Sequence, residues 1–323
     1  MELENQTPYP AGLFGGCIDE ERICAGLVAR CTYKLSWGRL DPLPEQTWQV
    51  SPGPWDSPYG KMPGDDLFYR GGVDLFVFGS ARAPKGKRLR RVDVTVEVGE
   101  AFRHTIAVFG NRTWQRRDRT LVPSEPEPIT EVPLTIVNAF GGKDEWDELQ
   151  VPFPSNPEGK GFFVSEEGAE GKPLPNIENP SALIQRWSDQ PEPVGVGLPP
   201  PMFGPRVDRA IDVDAESGAI RKIRGMFFNA AFPAMIVPHA EAVPGARVRV
   251  SGVSESGPVT FVLPSNDLRV RLRFGDEVSE VEPFVDQIGI EVDLQRVFVG
   301  YRYAFRYRMI PLQKRECVLV ATA

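Results

Sequence analysis

The chain has 323 residues, a formal net charge of −7, four cysteines, two histidines, and 32 prolines beside 31 glycines. That length buries a full core without staples, and the acidic balance excludes a global attraction to nucleic acid or anionic membrane. Proline and glycine at this level favour short strands and long ordered loops, which excludes a mainly helical protein.

No stretch approaches the ~18 apolar residues of a spanning helix. The start, MELENQTPYP, has no basic segment followed by an apolar one. The expectation is a cytoplasmic protein with no membrane or nucleic-acid partner. His104 and His239 lie in unrelated segments and no CxxC pair occurs, so neither a metal centre nor a cofactor is expected. A Ser/His/Asp triad has only those two rings to draw on.

The first strong pattern is ICAGLVARCTYKL (23–35). Ile23, Ala25, Leu27, Ala29, Cys31, Tyr33 and Leu35 share one face and Arg30, Thr32 and Lys34 the other, the alternation of a half-buried strand. Cys17, Cys24 and Cys31 look like a ligand series. Strand parity puts Cys24 and Cys31 on opposite faces, about 23 Å apart at ~3.3 Å per residue, so reduced core thiols are expected.

A Pro-rich stretch (41–64) follows and carries Trp48, Trp55 and Tyr59. In PGDDLFYRGG, Asp65 and Asp66 read as a turn leading into VDLFVFG (73–79). That run and PLTIVNAFGG (133–142) read as strands buried on both faces. VDVTVEV (92–98) alternates. In KDEWDEL (143–149), Asp144, Glu145, Asp147 and Glu148 flank Trp146. They form either a solvated turn or the paired carboxylates of a carbohydrate-active hydrolase.

Residues 152–205 hold twelve prolines and seven glycines, too broken for regular structure. They read as an arm carrying Phe162, Phe163 and Trp187. Only ALIQRW (182–187) has the makings of a short helix, capped by Ser181 or Asn179. NPEGKGF and PVGVGL lack the strand-to-helix context of a phosphate loop. Beyond the arm, ARVRVSGV (246–253) and DLRVRLRF (267–274) alternate. The longest alternation sets Val297, Val299, Tyr301, Tyr303, Phe305, Tyr307 and Met309 opposite Arg302, Arg306 and Arg308. The arginines of these late strands are expected to pair across strands with Glu280, Glu282, Glu291 and Asp293 rather than to bind nucleic acid.

The organisation is therefore all-β: two connected antiparallel sandwich or barrel-like sheets with few short helices. An N-terminal β block (1–151), a Pro/Gly-rich arm (152–206) and a C-terminal β block (207–323) follow in order. Asn138 and Asn229 sit in apolar strings, where a buried amide must find hydrogen-bond partners.

Six strings occur in fixed order: TPYP, SEPEPITEVPLTIVNAFGG, NPEGKGF, LPNIENP, PEPVGVGLPPPMFGPR and FFNAAFP. Together they resemble the domain-of-unknown-function family 2169 of type VI secretion loci, over about residues 5–262. The shared framework positions are Asn138, Gly141, Gly142, Asn156, Gly159, Gly161, Asn176 and Asn229. The resemblance implies a non-catalytic adaptor or chaperone that binds a PAAR-like or effector protein, and possibly the spike protein, for loading. After FFNAAFP this chain reads Ala234, Met235 and Ile236 where the family is polar, and the Arg206–Gly225 segment is short. Rigid loops with large side chains suit protein binding. The contact is expected on the surface made by 41–64 and 152–205, through Trp48, Trp55, Tyr59, Phe162, Phe163 and Trp187.

Overall fold

The computed structural model describes residues 1–17, 22–36 and 38–322; the side chain of Cys17 lies outside the description. Sixteen strands build its three main sheets. They are β1 (Leu3–Asn5), β2 (Ala11–Cys17), β3 (Arg22–Ser36), β4 (Arg39–Pro42), β5 (Val73–Phe78), β6 (Arg91–Val98), β7 (Phe102–Phe109) and β8 (Ile177–Glu178). Then follow β9 (Ile236–Val237), β10 (Arg247–Ser251), β11 (Val259–Val262), β12 (Leu268–Phe274), β13 (Glu277–Val281), β14 (Phe284–Glu291), β15 (Arg296–Arg308) and β16 (Arg315–Ala321).

The largest sheet runs β2-β3-β15-β14-β5-β9, with β4 also paired to β3. A second runs β8-β7-β6-β10-β11 and a third β1-β16-β12-β13. The all-β architecture holds, but the two strand blocks interleave: every one of these sheets takes strands from both. Nor are the sheets purely antiparallel. β5 lies parallel to β14, with Asp74 opposite Gln287 and Phe78 opposite Glu291, and β1 lies parallel to β16. Period-two alternation fixes which face a side chain takes, not which strand it pairs with, so sequence blocks say little about sheet membership.

One contiguous apolar core joins the sheets, with Leu27, Phe76, Val94, Ile106, Val250, Val270, Ile288 and Tyr301 fully enclosed. Strand β5 is buried throughout, its apolar run Leu75–Phe78 sharing the interior with the charged Asp74. Strand β3 departs from its half-buried reading, since Cys24 to Tyr33 are buried on both faces, Arg30 and Thr32 included. Its polar face is roofed by the chain from Leu43 to Arg70, and polar side chains there pair with one another. Cys24, Cys31 and Cys317 are buried free thiols, and burial pushes the Cys31 thiol up to about 12.

The string 133–142 is not one strand. It breaks into a short strand Glu131–Pro133, a tight turn Ile136–Asn138 and a bridge Phe140–Gly141. ALIQRW forms no helix either; Asn179 Oδ1 accepts from Ser181 N at 3.0 Å to make a local turn. The helices stand elsewhere: α1 (Glu166–Ala169), capped where Ser165 Oγ accepts from Gly168 N, and α2 (Gly204–Ala210), with Pro205 in its first turn.

The arm is pinned along its length. It contributes β8 to the second sheet, and Val77 N donates to Val196 O at 2.7 Å. Its start knots AFGG to NPEGKGF. Asn156 Nδ2 donates to Ile136 O and Phe140 O at 3.0 and 2.9 Å, Gly142 N to Asn156 O, and Phe162 N to Gly141 O. Gly141 (φ 145°) packs so tightly on Asn156 that an added Cβ would collide with its carbonyl, and one on Gly159 would strike the Asn156 amide. Gly161 (φ 98°) closes the turn against Pro175. Asn176 completes the knot, its amide donating to Phe109 O and its backbone N to Asn138 O. Asn138 itself is half-buried rather than buried, and its amide donates to Pro133 O at 2.9 Å.

Candidate partner-binding surface

Three arginines and three aspartates lie buried between the large sheet and its roof. Arg30 Nη2 meets Asp65 Oδ1 at 2.8 Å and Gln287 Oε1 at 2.6 Å. Arg70 reaches Asp286 Oδ2 and Asp74 Oδ2, both at 3.0 Å, and Arg302 Nε shares Asp286 Oδ2 at 3.0 Å. Burial pushes the Asp286 carboxyl up, but Arg302 and Arg70 together hold it below the usual carboxylate range. Asp74 also accepts from the backbone N of Ala230 and Ala231 and from Asn229 Nδ2. Asn229 in turn takes Gly71 N and donates to Gly72 O. The FFNAAFP segment is thereby clamped to β5 and to the turn before it.

Sequence reasoning placed Asp65 in a strand-entry turn and Arg302 on the polar face of its strand, pairing across strands with a glutamate or Asp293. It missed this cluster because an arginine on the polar side of a strand looks the same whether water or a roof covers it. The available signal was Arg30 and Thr32 within an otherwise apolar run.

A second buried carboxylate holds the first Pro-rich stretch. Glu291 accepts from Trp48 Nε1 (3.0 Å), Tyr59 Oη (3.0 Å), and Arg296 Nε and Nη2 (3.1 and 2.9 Å). Burial, and then the Glu291 charge, raise the Tyr59 hydroxyl pKa, so the phenol remains the donor. Trp48 packs on Phe298 with centroids 4.1 Å apart, and Tyr59 stacks on Phe78 at 4.1 Å.

Of the six aromatics expected at a partner contact, Trp48, Phe162 and Phe163 are buried. Phe162 and Phe163 belong to a small core under the arm with Trp114, Leu121, Phe140 and Leu174, and Trp187 packs half-buried against it. Trp55 and Tyr59 are also half-buried. The two Pro-rich segments do meet. Pro58 and Tyr59 from one and Gly197 and Leu198 from the other line a cleft of about 320 Å3, floored by Phe78 and Ile136.

The acidic run forms a hairpin, Lys143–Trp146 against Leu149–Pro152, with Asp147 (φ 50°) and Glu148 (φ 64°) at its turn. Asp144 is engaged by the backbone, accepting from Val164 N at 2.9 Å. The cross-strand pair Trp146 and Leu149 stands 56% and 66% exposed. His104 lies in β7, where burial lowers its pKa, while His239 approaches Arg70 O and the Phe284 ring. Among the described residues no group of three His, Cys, Asp or Glu side chains is placed to hold a metal ion, and no helix is long and apolar enough to cross a membrane.

Cross-strand pairing accounts for part of the arginine stripe: Arg269 meets Glu282, Arg271 Glu280, Arg249 Glu97 and Arg273 Glu316. Glu291 and Asp293 pair instead with Arg296 and Arg82.

A family model described as an uncharacterized protein conserved in bacteria, DUF2169, matches residues 20–302. Neither a curated protein nor a solved structure matches the chain.

Proposed function

The chain belongs to that bacterial family, and we propose that it acts without catalysis, as an adaptor or chaperone that binds a PAAR-like or effector protein and helps load it onto a type VI secretion spike. What chiefly supports the reading is the cleft where the two Pro-rich segments meet. Its lining is mostly apolar and aromatic, with Ser80, Thr135 and Asp293 among it, and Glu291 and the β5 backbone hold Tyr59 and the 194–198 stretch in place before any partner arrives. Pre-ordered loops lose little entropy on binding, against ~1–2 kcal/mol per residue for a flexible chain. The exposed Trp146 and Leu149 on the 143–152 hairpin offer a separate apolar contact of the kind that partner surfaces use.

Co-expression with the protein encoded beside it tests the reading. An adaptor raises that protein's soluble yield and elutes with it, because a covered apolar surface no longer aggregates. An unchanged yield with separate elution overturns it.

A further inference from the structure

We propose a second docking site, at the far end of the large sheet, that takes an acidic segment of a partner protein carrying an apolar side chain at its centre. On β15, Arg302, Ala304, Arg306 and Arg308 share one face, opposite Val28, Gly26, Cys24 and Arg22 of β3. The turn at Asp65–Arg70 crosses this face at Gly26. There the missing side chain admits the Leu67 carbonyl, which a Cβ would meet at 3.0 Å. Beyond Gly26, among the described residues, Phe68 and Tyr69 of that turn leave a cleft of about 430 Å3 open against Cys24, Ala304, Phe305 and Arg306. That volume falls within the ~300–1,000 Å3 of ordinary binding pockets.

Both walls are held from beneath by the buried ion cluster. Arg302 Nη1 donates to Leu67 O beside Phe68, and Arg70 Nη1 donates to Phe228 O at 2.8 Å. The Phe228 ring lies 5.3 Å from that of Tyr69, which is 48% exposed, and 5.4 Å from Phe227, extending the aromatic wall.

Charge selects the occupant. In a chain of net charge −7, Arg249, Arg269, Arg271 and Arg273 each meet a glutamate. Arg306 and Arg308 are exposed on the cleft's own face and have no carboxylate partner among the described residues. An apolar anchor with flanking carboxylates satisfies both the cleft and its rim, the arrangement in which a buried side chain supplies affinity and charges set register. A flat bilayer does not enter a walled cleft, so a peptide segment fits better than a lipid surface. None of these walls belongs to the cleft between the Pro-rich segments, so this site can fail while partner capture there succeeds.

A phage-displayed library of random peptides, about a dozen residues long, panned on the intact chain tests the proposal. The expected peptides carry Leu, Phe or Trp flanked by Asp or Glu. Arg306→Glu should weaken them by on the order of tenfold or more with unchanged thermal unfolding, and exchanging their acidic residues for lysine should restore binding to that variant. Enrichment of basic or uncharged sequences, no enrichment, or equal binding by Arg306→Glu overturns the proposal. So does Arg306-dependent sedimentation with phosphatidylserine vesicles in place of peptide capture.

Discussion

The indole of Trp48 donates to the Glu291 carboxylate at 3.0 Å, joining the first Pro-rich stretch to the end of β14 through a bond that is buried on both sides. The same carboxylate takes the Tyr59 hydroxyl and the Arg296 fork, so one side chain fixes both the loop and a wall of the cleft. Glu291→Ala leaves these donors without an acceptor. Stability should fall by about 3–5 kcal/mol in denaturant titration, as for other broken buried pairs. Trp fluorescence should report the loop's release, and an unchanged midpoint would remove Glu291 from this role.

Asn229→Leu deletes the amide that joins FFNAAFP to Gly71, Gly72 and Asp74. Each buried group left unpaired costs about 1–3 kcal/mol, so the melting temperature should drop by several degrees. A variant that melts like the parent but loses its partner would make Asn229 a contact residue instead.

Acid should loosen the roof through Asp286. Its folded-state pKa lies below the unfolded value of about 3.9. The stability it contributes is therefore fully present above that value and is lost as pH falls through the folded pKa. Asp286→Asn should be less stable than the parent at neutral pH but lose less between pH ~4 and lower values. Parallel stability-against-pH curves for the two proteins would contradict this.

Leu198→Glu and Phe163→Ala separate surface from core. Leu198 is half-buried in the cleft wall, and a charge there should abolish partner capture with little change in melting. Phe163 is buried under the arm, so its truncation should cost about 3–5 kcal/mol and reduce capture only as the protein unfolds. Capture retained in full by Leu198→Glu would move the contact away from this cleft.

Where pattern alone determines a face, the sequence was a sound guide: β5, β6 and β15 lie where alternation or a largely apolar run put them. It was a poor guide wherever the outcome depended on what covers a face. Arg30 and Arg302 took the predicted side of their strands, yet a loop distant in sequence roofs them. Trp48, Phe162 and Phe163 were legible as large loop side chains, but composition does not tell a hot spot from a peg driven into the core. Tyr69, Phe227 and Phe228 were legible as parts of a turn and of a framework string but not as one wall, because the two strings lie far apart in the chain and meet through Arg70, Asn229 and the close approach of Gly71 to Met226.

Affinity purification of the tagged chain from its own bacterium, followed by mass spectrometry, tests the adaptor reading most directly. Recovery of one PAAR-like or effector protein above an untagged control, lost with Leu198→Glu but not with a conservative surface change, is the predicted result. Recovery of no partner, together with cleavage of a glycan that ceases in Asp147→Asn or Glu148→Gln, would contradict it.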